Sequence, residues 1–197
     1  YAYNYDASDY LTYNLSGPSS PLGFDGYIGA GQGFFVLMNP LSSSTSMTAT
    51  FNNSMRSSGY RNDQFYKTTN TNTNNHPEGR IWIDLVSSTS SNSILIAYKN
   101  GATNQKDLMY DAQADLSAIL NIYSLLEGYD RNLIQGRSVP FDQNDQVSIA
   151  VKLPTAGNYT IAIKEIDGLL TNENIYLEDK QLNLIHDLIQ WMKYVNC

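Results

Sequence analysis

Two short clusters carry the residue types that bind hard cations. Phe141-Asp142-Gln143-Asn144-Asp145 places Asp142, Asn144 and Asp145 close together in the chain, and Asp6-Ala7-Ser8-Asp9 offers a second oxygen-rich set. Calcium gathers roughly six to eight oxygen ligands from carboxylates, amides and carbonyls. It is therefore the cofactor these clusters would serve, Asp142, Asn144 and Asp145 being the candidate ligands. Neither cluster follows the EF-hand spacing, and the same residue types also build Asx turns between strands. Zinc lacks its signature, because neither His-x-x-x-His nor Cys-x-x-Cys occurs.

Catalytic arrangements are thinner. A nucleophilic serine needs a base within hydrogen-bond reach, and the only histidines are His76 and His186. No Gly-x-Ser-x-Gly elbow is present. Paired acids for glycoside hydrolysis must face each other across about 5–10 Å. Asp111 with Asp115, and Glu165 with Asp167, meet the requirement by spacing only. The first pair lies four apart on an expected helical turn and the second leads into a turn, both ordinary places for solvated acids. The expectation is a protein without catalysis, a secreted hydrolase being the least favoured alternative.

Aromatic residues offer another chemistry. The chain holds 15 tyrosines, whose flat rings stack on sugar faces while neighbouring Asn and Asp bond the hydroxyls; the same rings enrich protein interfaces. Tyr1, Tyr3 and Tyr5 alternate at period two and would share one face of a strand. Tyr10, Tyr13, Tyr60 and Tyr66 complete the candidate ligand-binding set. The competing use is packing, since aromatics are good strand formers; Trp82, inside an apolar run, belongs to a core. The implied partner is a glycan or another cell-surface protein.

The elements that position these residues read as strands. Phe34 to Met38 forms an apolar run after a glycine-rich approach, and Thr48 to Phe51 a short strand. Ile81 to Val86 and Ser93 to Tyr98 flank a polar tip and predict a hairpin. Gln146 to Leu153 alternates, as do Tyr159, Ile161 and Ile163. The turn residues Pro154 to Asn158 between them predict a second hairpin. Further strands are expected at Ile122 to Leu126 and Asn174 to Leu177, and at most one short helix near 107–120, where Leu108, Ala112, Leu116 and Leu120 recur every fourth position. Thr68 to Asn75 is entirely Thr and Asn and predicts a long polar loop near 68–79. The fold expected is all-β, an antiparallel β-sandwich of jelly-roll type forming a single domain over 1–197. It is expected to be a fragment of a larger protein.

Composition narrows the partners. Twelve Lys+Arg against 19 Asp+Glu give a net charge of −7, which disfavours nucleic acid and anionic membranes, both of which need clustered cations. No apolar run approaches the roughly 20 residues of a membrane-spanning helix, so membrane insertion is not expected. The single cysteine, Cys197, rules out an intrachain disulfide. Abundant Tyr, Asn, Ser and Thr suit an extracellular setting. Sequons at Asn14, Asn52 and Asn158 are expected by chance in so Asn-rich a chain.

Several motifs recur as an ordered set. They are Tyr27-Ile28-Gly29-Ala30-Gly31-Gln32-Gly33-Phe34-Phe35-Val36, Phe51-Asn52-Asn53-Ser54-Met55-Arg56, Arg80-Ile81-Trp82-Ile83-Asp84-Leu85, Tyr110-Asp111-Ala112, Ile134-Gln135-Gly136-Arg137-Ser138-Val139-Pro140-Phe141, Tyr159-Thr160-Ile161 and Ile175-Tyr176-Leu177-Glu178-Asp179. Over roughly residues 1–188 this set resembles the β-rich region that lies just upstream of the C-terminal sorting domain in type IX secretion cargo proteins. The resemblance implies export across a bacterial outer membrane, then attachment to the cell surface or release. It carries over no catalytic residue. The tail Ile189 to Cys197 departs from the pattern.

Overall fold

The computed structural model describes residues 10–21, 24, 26–29, 31–37, 45–56, 78–126, 128, 130–189 and 195–196. The chain divides into two compact units, one made of 1–21 with 71–197 and the other of 22–70. The first unit holds the strands β1 (Tyr13–Asn14), β2 (Gly17–Pro18), β3 (Gly79–Val86), β4 (Ser91–Tyr98), β5 (Ala112–Gln113) and β6 (Asn121–Leu125). These are followed by β7 (Arg131–Arg137), β8 (Ser148–Lys152), β9 (Thr160–Gly168), β10 (Tyr176–Asp179), β11 (Leu184–Asp187) and β12 (Val195–Asn196). The fold is all-β. The turns at Leu108–Tyr110 and Leu116–Ser117 stand where the short helix was allowed, and the only helical pieces among the described residues are 3-10 turns at Asn53–Met55 and Leu169–Asn172.

One sheet dominates, with strand order β12-β9-β3-β4-β7-β6-β8 and β5 pairing β7. The hairpin β3–β4 forms as its sequence predicts, from Gly79↔Tyr98 to Val86↔Ser91 around Ser87–Ser90. The second predicted hairpin does not form. Among the described residues β8 pairs only with β6, and β9 pairs with β3 and β12, so strands consecutive in the chain lie towards opposite ends of the sheet. Alternation and turn residues determined which faces are buried but not which neighbour each strand takes. The sheet curls into a half-barrel, and its ends meet across one core: Ile161 and Ile163 of β9 share it with Ile149 and Val151 of β8. Among the described residues all ladders are antiparallel except β4–β7, which runs parallel from Leu95↔Ile134 to Tyr98↔Arg137.

Period-two alternation assigns each side chain of the central strands to a face. Ile81, Ile83, Leu85, Ile94, Ile96 and Tyr98 point into the concave core with Ile122, and Leu85, Ile94 and Ile122 are fully buried. Truncating any of these three to alanine costs about 2–5 kcal/mol through lost transfer energy and the cavity left behind. Trp82, Leu95, Ala97 and Ile134 form a second cluster on the opposite face. The segment 14–19 is held to that face: the Trp82 indole donates to the Pro18 carbonyl at 2.9 Å, and Ser16 Oγ donates to the Tyr110 carbonyl at 2.7 Å. Arg80 lies with its guanidinium 4.9 Å from the Trp82 ring centre and donates to Asp167 through Nε at 2.9 Å. Gly168, at φ +61°, closes β9 where a Cβ would stand 2.0 Å from the Glu78 carbonyl oxygen, so only glycine fits.

In the unit 22–70, the described parts of the expected strands lie in no ladder. Phe35 and Leu37 are 87% and 83% exposed, so the run at 34–37 is not the buried strand its composition predicts. Phe34 and Phe51 instead contact edge to face at 5.7 Å, and the Asn52 side chain caps the 3-10 turn by accepting from Ser54 N–H. Of the polar loop expected at 68–79, all but 78–79 lies outside the described residues, and Gly79 already opens β3.

Candidate functional site

The site is built on β7. Its Leu133, Gln135 and Arg137 share the concave face, while Asn132, Ile134 and Gly136 face the other way. Gly136 must lack a side chain, because a Cβ there would sit 2.5 Å from the Tyr110 Cβ. Its N–H donates to Asp111 Oδ1 at 2.8 Å, and Asp111 Oδ2 accepts from Asp107 N–H at 2.6 Å. Asp111 thus ties the 107–111 turn to β7. Burial pushes its carboxyl above the ordinary range against the pull of those backbone donors.

On the concave side, polar groups replace the apolar core. Arg137 forms a two-point ion pair with Asp145, Nε donating to Oδ2 at 2.9 Å and Nη2 donating to Oδ1. Tyr98 at the end of β4 donates its hydroxyl to Asp145 Oδ2 at 2.8 Å, and its ring meets Phe141 edge to face at 4.8 Å. The ion-paired side chains are only 10% and 13% exposed. Burial works to raise the Asp145 carboxyl, but the hydrogen bonds from Arg137 and Tyr98 and the guanidinium charge outweigh it, holding the group below its usual value. Burial, reinforced by the Asp145 acceptor, raises the Tyr98 phenol far above its ordinary range.

Beside this network opens a cavity of about 680 Å³. Gln135 and Arg137 line it together with Asn104, Gln105, Gln146 and Ser148, and Leu125, Leu126 and Val147 supply apolar wall. Gln135 is 1% exposed, and its Oε1 accepts no hydrogen bond from the described protein groups. Asn104 is fixed by Ser138, whose N–H donates to Oδ1 at 3.0 Å.

The residues singled out in the sequence fall in several places. Asp142 Oδ1 accepts from Asn144 N–H at 2.9 Å, an Asx turn, and Asp145 turns to Arg137 and Tyr98. Asp111 is buried against backbone donors and Asp115 is exposed, capping Ser117 N–H at 2.8 Å. That bond, with the Ser117 hydroxyl, lowers the Asp115 carboxyl. Asp167 pairs with Arg80, and Glu165 is raised by burial and by the neighbouring Asp167 charge. His186 lies half-buried on β11. Tyr10 and Tyr13 are about half exposed, at 54% and 47%. Tyr1, Tyr3, Tyr5, Tyr60, Tyr66 and His76 lie outside the described residues. Sequence reading missed Gln135, Gln146 and Asn104; the available signal was Leu133, Gln135 and Arg137 at period two, amide and guanidinium following an apolar residue on one strand face.

These features define an all-β protein whose sheet curls around its core and carries a polar, amide-lined cavity. The chain belongs to the family described as Domain of unknown function (DUF8693), whose model matches residues 1–194. No curated protein and no solved structure matches it.

Proposed function

We propose that the chain is a non-catalytic structural and presentation module of a secreted or cell-surface bacterial protein, with adhesive capacity. The observation that carries this reading is the use of the acids. Asp145 holds Arg137 and Tyr98, Asp111 holds the 107–111 turn on β7, and Asp167 holds Arg80, so each braces a strand or loop. An acid serving as general base must instead be in reach of a substrate proton. The ordered motifs that resemble the region upstream of type IX sorting domains support display at the outer surface. The amide-lined cavity favours a carbohydrate-binding module as the second reading.

Two experiments test the proposal. Protease treatment of intact cells bearing the tagged chain removes it if the module is displayed, and full protection refutes display. Incubation of the purified chain with a glycan array reports adhesion. Loss of that binding in EDTA would show that it depends on a divalent cation.

A further inference from the structure

We propose that the cavity floored by Gln135 binds a neutral sugar unit through its hydroxyl groups. This deepens the binding part of the reading above and rests on it. Three observations converge. First, Gln135 lines the cavity, and its Oε1 is a buried acceptor with no donor among the described protein groups. Buried polar atoms are nearly always satisfied in folded proteins, so an orphan on a cavity-lining residue calls for a donor, which a ligand hydroxyl can supply. Second, the cavity offers no unmatched charge among its lining groups, because the Arg137 guanidinium is neutralised by Asp145. A carboxylate or phosphate gains little there. The remaining polar walls are amides and a hydroxyl: Asn104, Gln105, Gln146 and Ser148. Amides present a donor and an acceptor side by side, as sugar hydroxyls do. Third, Leu125, Leu126 and Val147 give an apolar wall for the C–H face of a pyranose. The volume of about 680 Å³ falls within the roughly 300–1,000 Å³ usual for small-molecule sites.

The binding step is non-covalent. A turn of the Gln135 side chain brings its covered Oε1 to the cavity, where a sugar hydroxyl donates to it, and the rim amides of Gln146 and Asn104 exchange hydrogen bonds with the neighbouring hydroxyls. Because the free chain carries an unsatisfied buried acceptor, Gln135→Leu has two opposed effects: it raises the melting temperature of the unliganded chain and removes the ligand's anchor.

The test is a titration of the isotope-labelled full chain, followed by amide NMR, with glucose, galactose, mannose, xylose, N-acetylglucosamine and their β-linked disaccharides at up to tens of millimolar. The expected result is saturable shifts of the β7 and 146–148 signals with at least one of them. Gln135→Leu should weaken that binding by at least about tenfold, the equivalent of one well-placed hydrogen bond. Gln146→Ala, at the exposed rim, should weaken it several-fold with an unchanged melting temperature. The proposal is overturned if no sugar shifts these signals, or if Gln135→Leu binds a responding sugar as tightly as the parent chain. Absence of sugar binding in a chain that proteolysis removes from intact cells sinks this inference alone. Sugar binding by a chain protected from external protease supports the site and refutes surface display.

Discussion

Replacing Asp145 with alanine leaves the Arg137 guanidinium without its counter-ion and the Tyr98 hydroxyl without its acceptor. The ion-paired side chains are 10% and 13% exposed, so the charge left behind is largely cut off from water. Removing one partner of a buried pair costs about 3–5 kcal/mol, and the residual exposure favours the lower figure. For a domain of this size each kcal/mol lowers the melting temperature by about 2–4 °C, so Asp145→Ala should lose about 6–12 °C at neutral pH. Thermal unfolding followed by circular dichroism measures this directly. A double-mutant cycle with Arg137→Met and Asp145→Leu isolates the pair, and a coupling energy above about 1.5 kcal/mol is expected for contacting charged residues. The pH dependence has a definite sign. Because the folded-state value of Asp145 is depressed, its contribution is present above the unfolded value near about 3.9 and is lost as pH falls through the folded one. Stability of the parent chain should therefore fall more steeply below pH ~4 than that of Asp145→Asn. A melting shift under about 2 °C for Asp145→Ala would match an exposed surface pair and refute the buried network.

Three further outcomes follow from local geometry. Gly136→Ala drives a Cβ to within 2.5 Å of Tyr110 Cβ and should destabilise by about 1–3 kcal/mol or more through overpacking, read as a lower urea midpoint at unchanged slope. Asp111→Asn substitutes an amide donor for one of two acceptors facing the N–H groups of Asp107 and Gly136; a loss of about 1–3 kcal/mol in urea unfolding is expected, and a neutral result would show that the turn is held otherwise. Trp82→Phe removes the donor to the Pro18 carbonyl and frees the 14–19 segment, so amide exchange at Ser16 and Ser19 should quicken while β3 stays protected.

The β3–β4 hairpin was legible because its apolar runs are long, β-branched and separated by a serine-rich tip. The burial of Trp82, at 2% exposed, was legible for the same reason. The pairing of β9 was not. Pro154 to Asn158 is a sound local turn signal, but turn chemistry is blind to an edge supplied by β3, far upstream in the chain. Likewise Phe34 to Leu37 has strand composition, yet it lies in no ladder among the described residues. At the site, Asp142 and Asn144 were correctly visible as turn-forming residues, and Asp145 was visible only as an acid. Its role depends on Arg137 and on Tyr98 of β4, brought beside it by the parallel β4–β7 ladder. Gln135 stood out least, because its period-two spacing with Leu133 and Arg137 gains meaning only once the burial around it is known.

The pairing of Gly79 with Gly168 also governs how the molecule assembles. Sheets closed by contacts between residues so far apart in sequence fold slowly, on the millisecond-to-second scale, because the entropy of closing the intervening loop is lost before the contact forms. Until β9 arrives, β3 has β4 on one side and an open edge on the other. That edge carries Ile81, Trp82, Ile83 and Leu85, an apolar segment that would template pairing between chains. Refolding yield should therefore fall with protein concentration. A peptide spanning Thr160–Gly168, added in trans, should compete for the open edge and suppress aggregation during refolding.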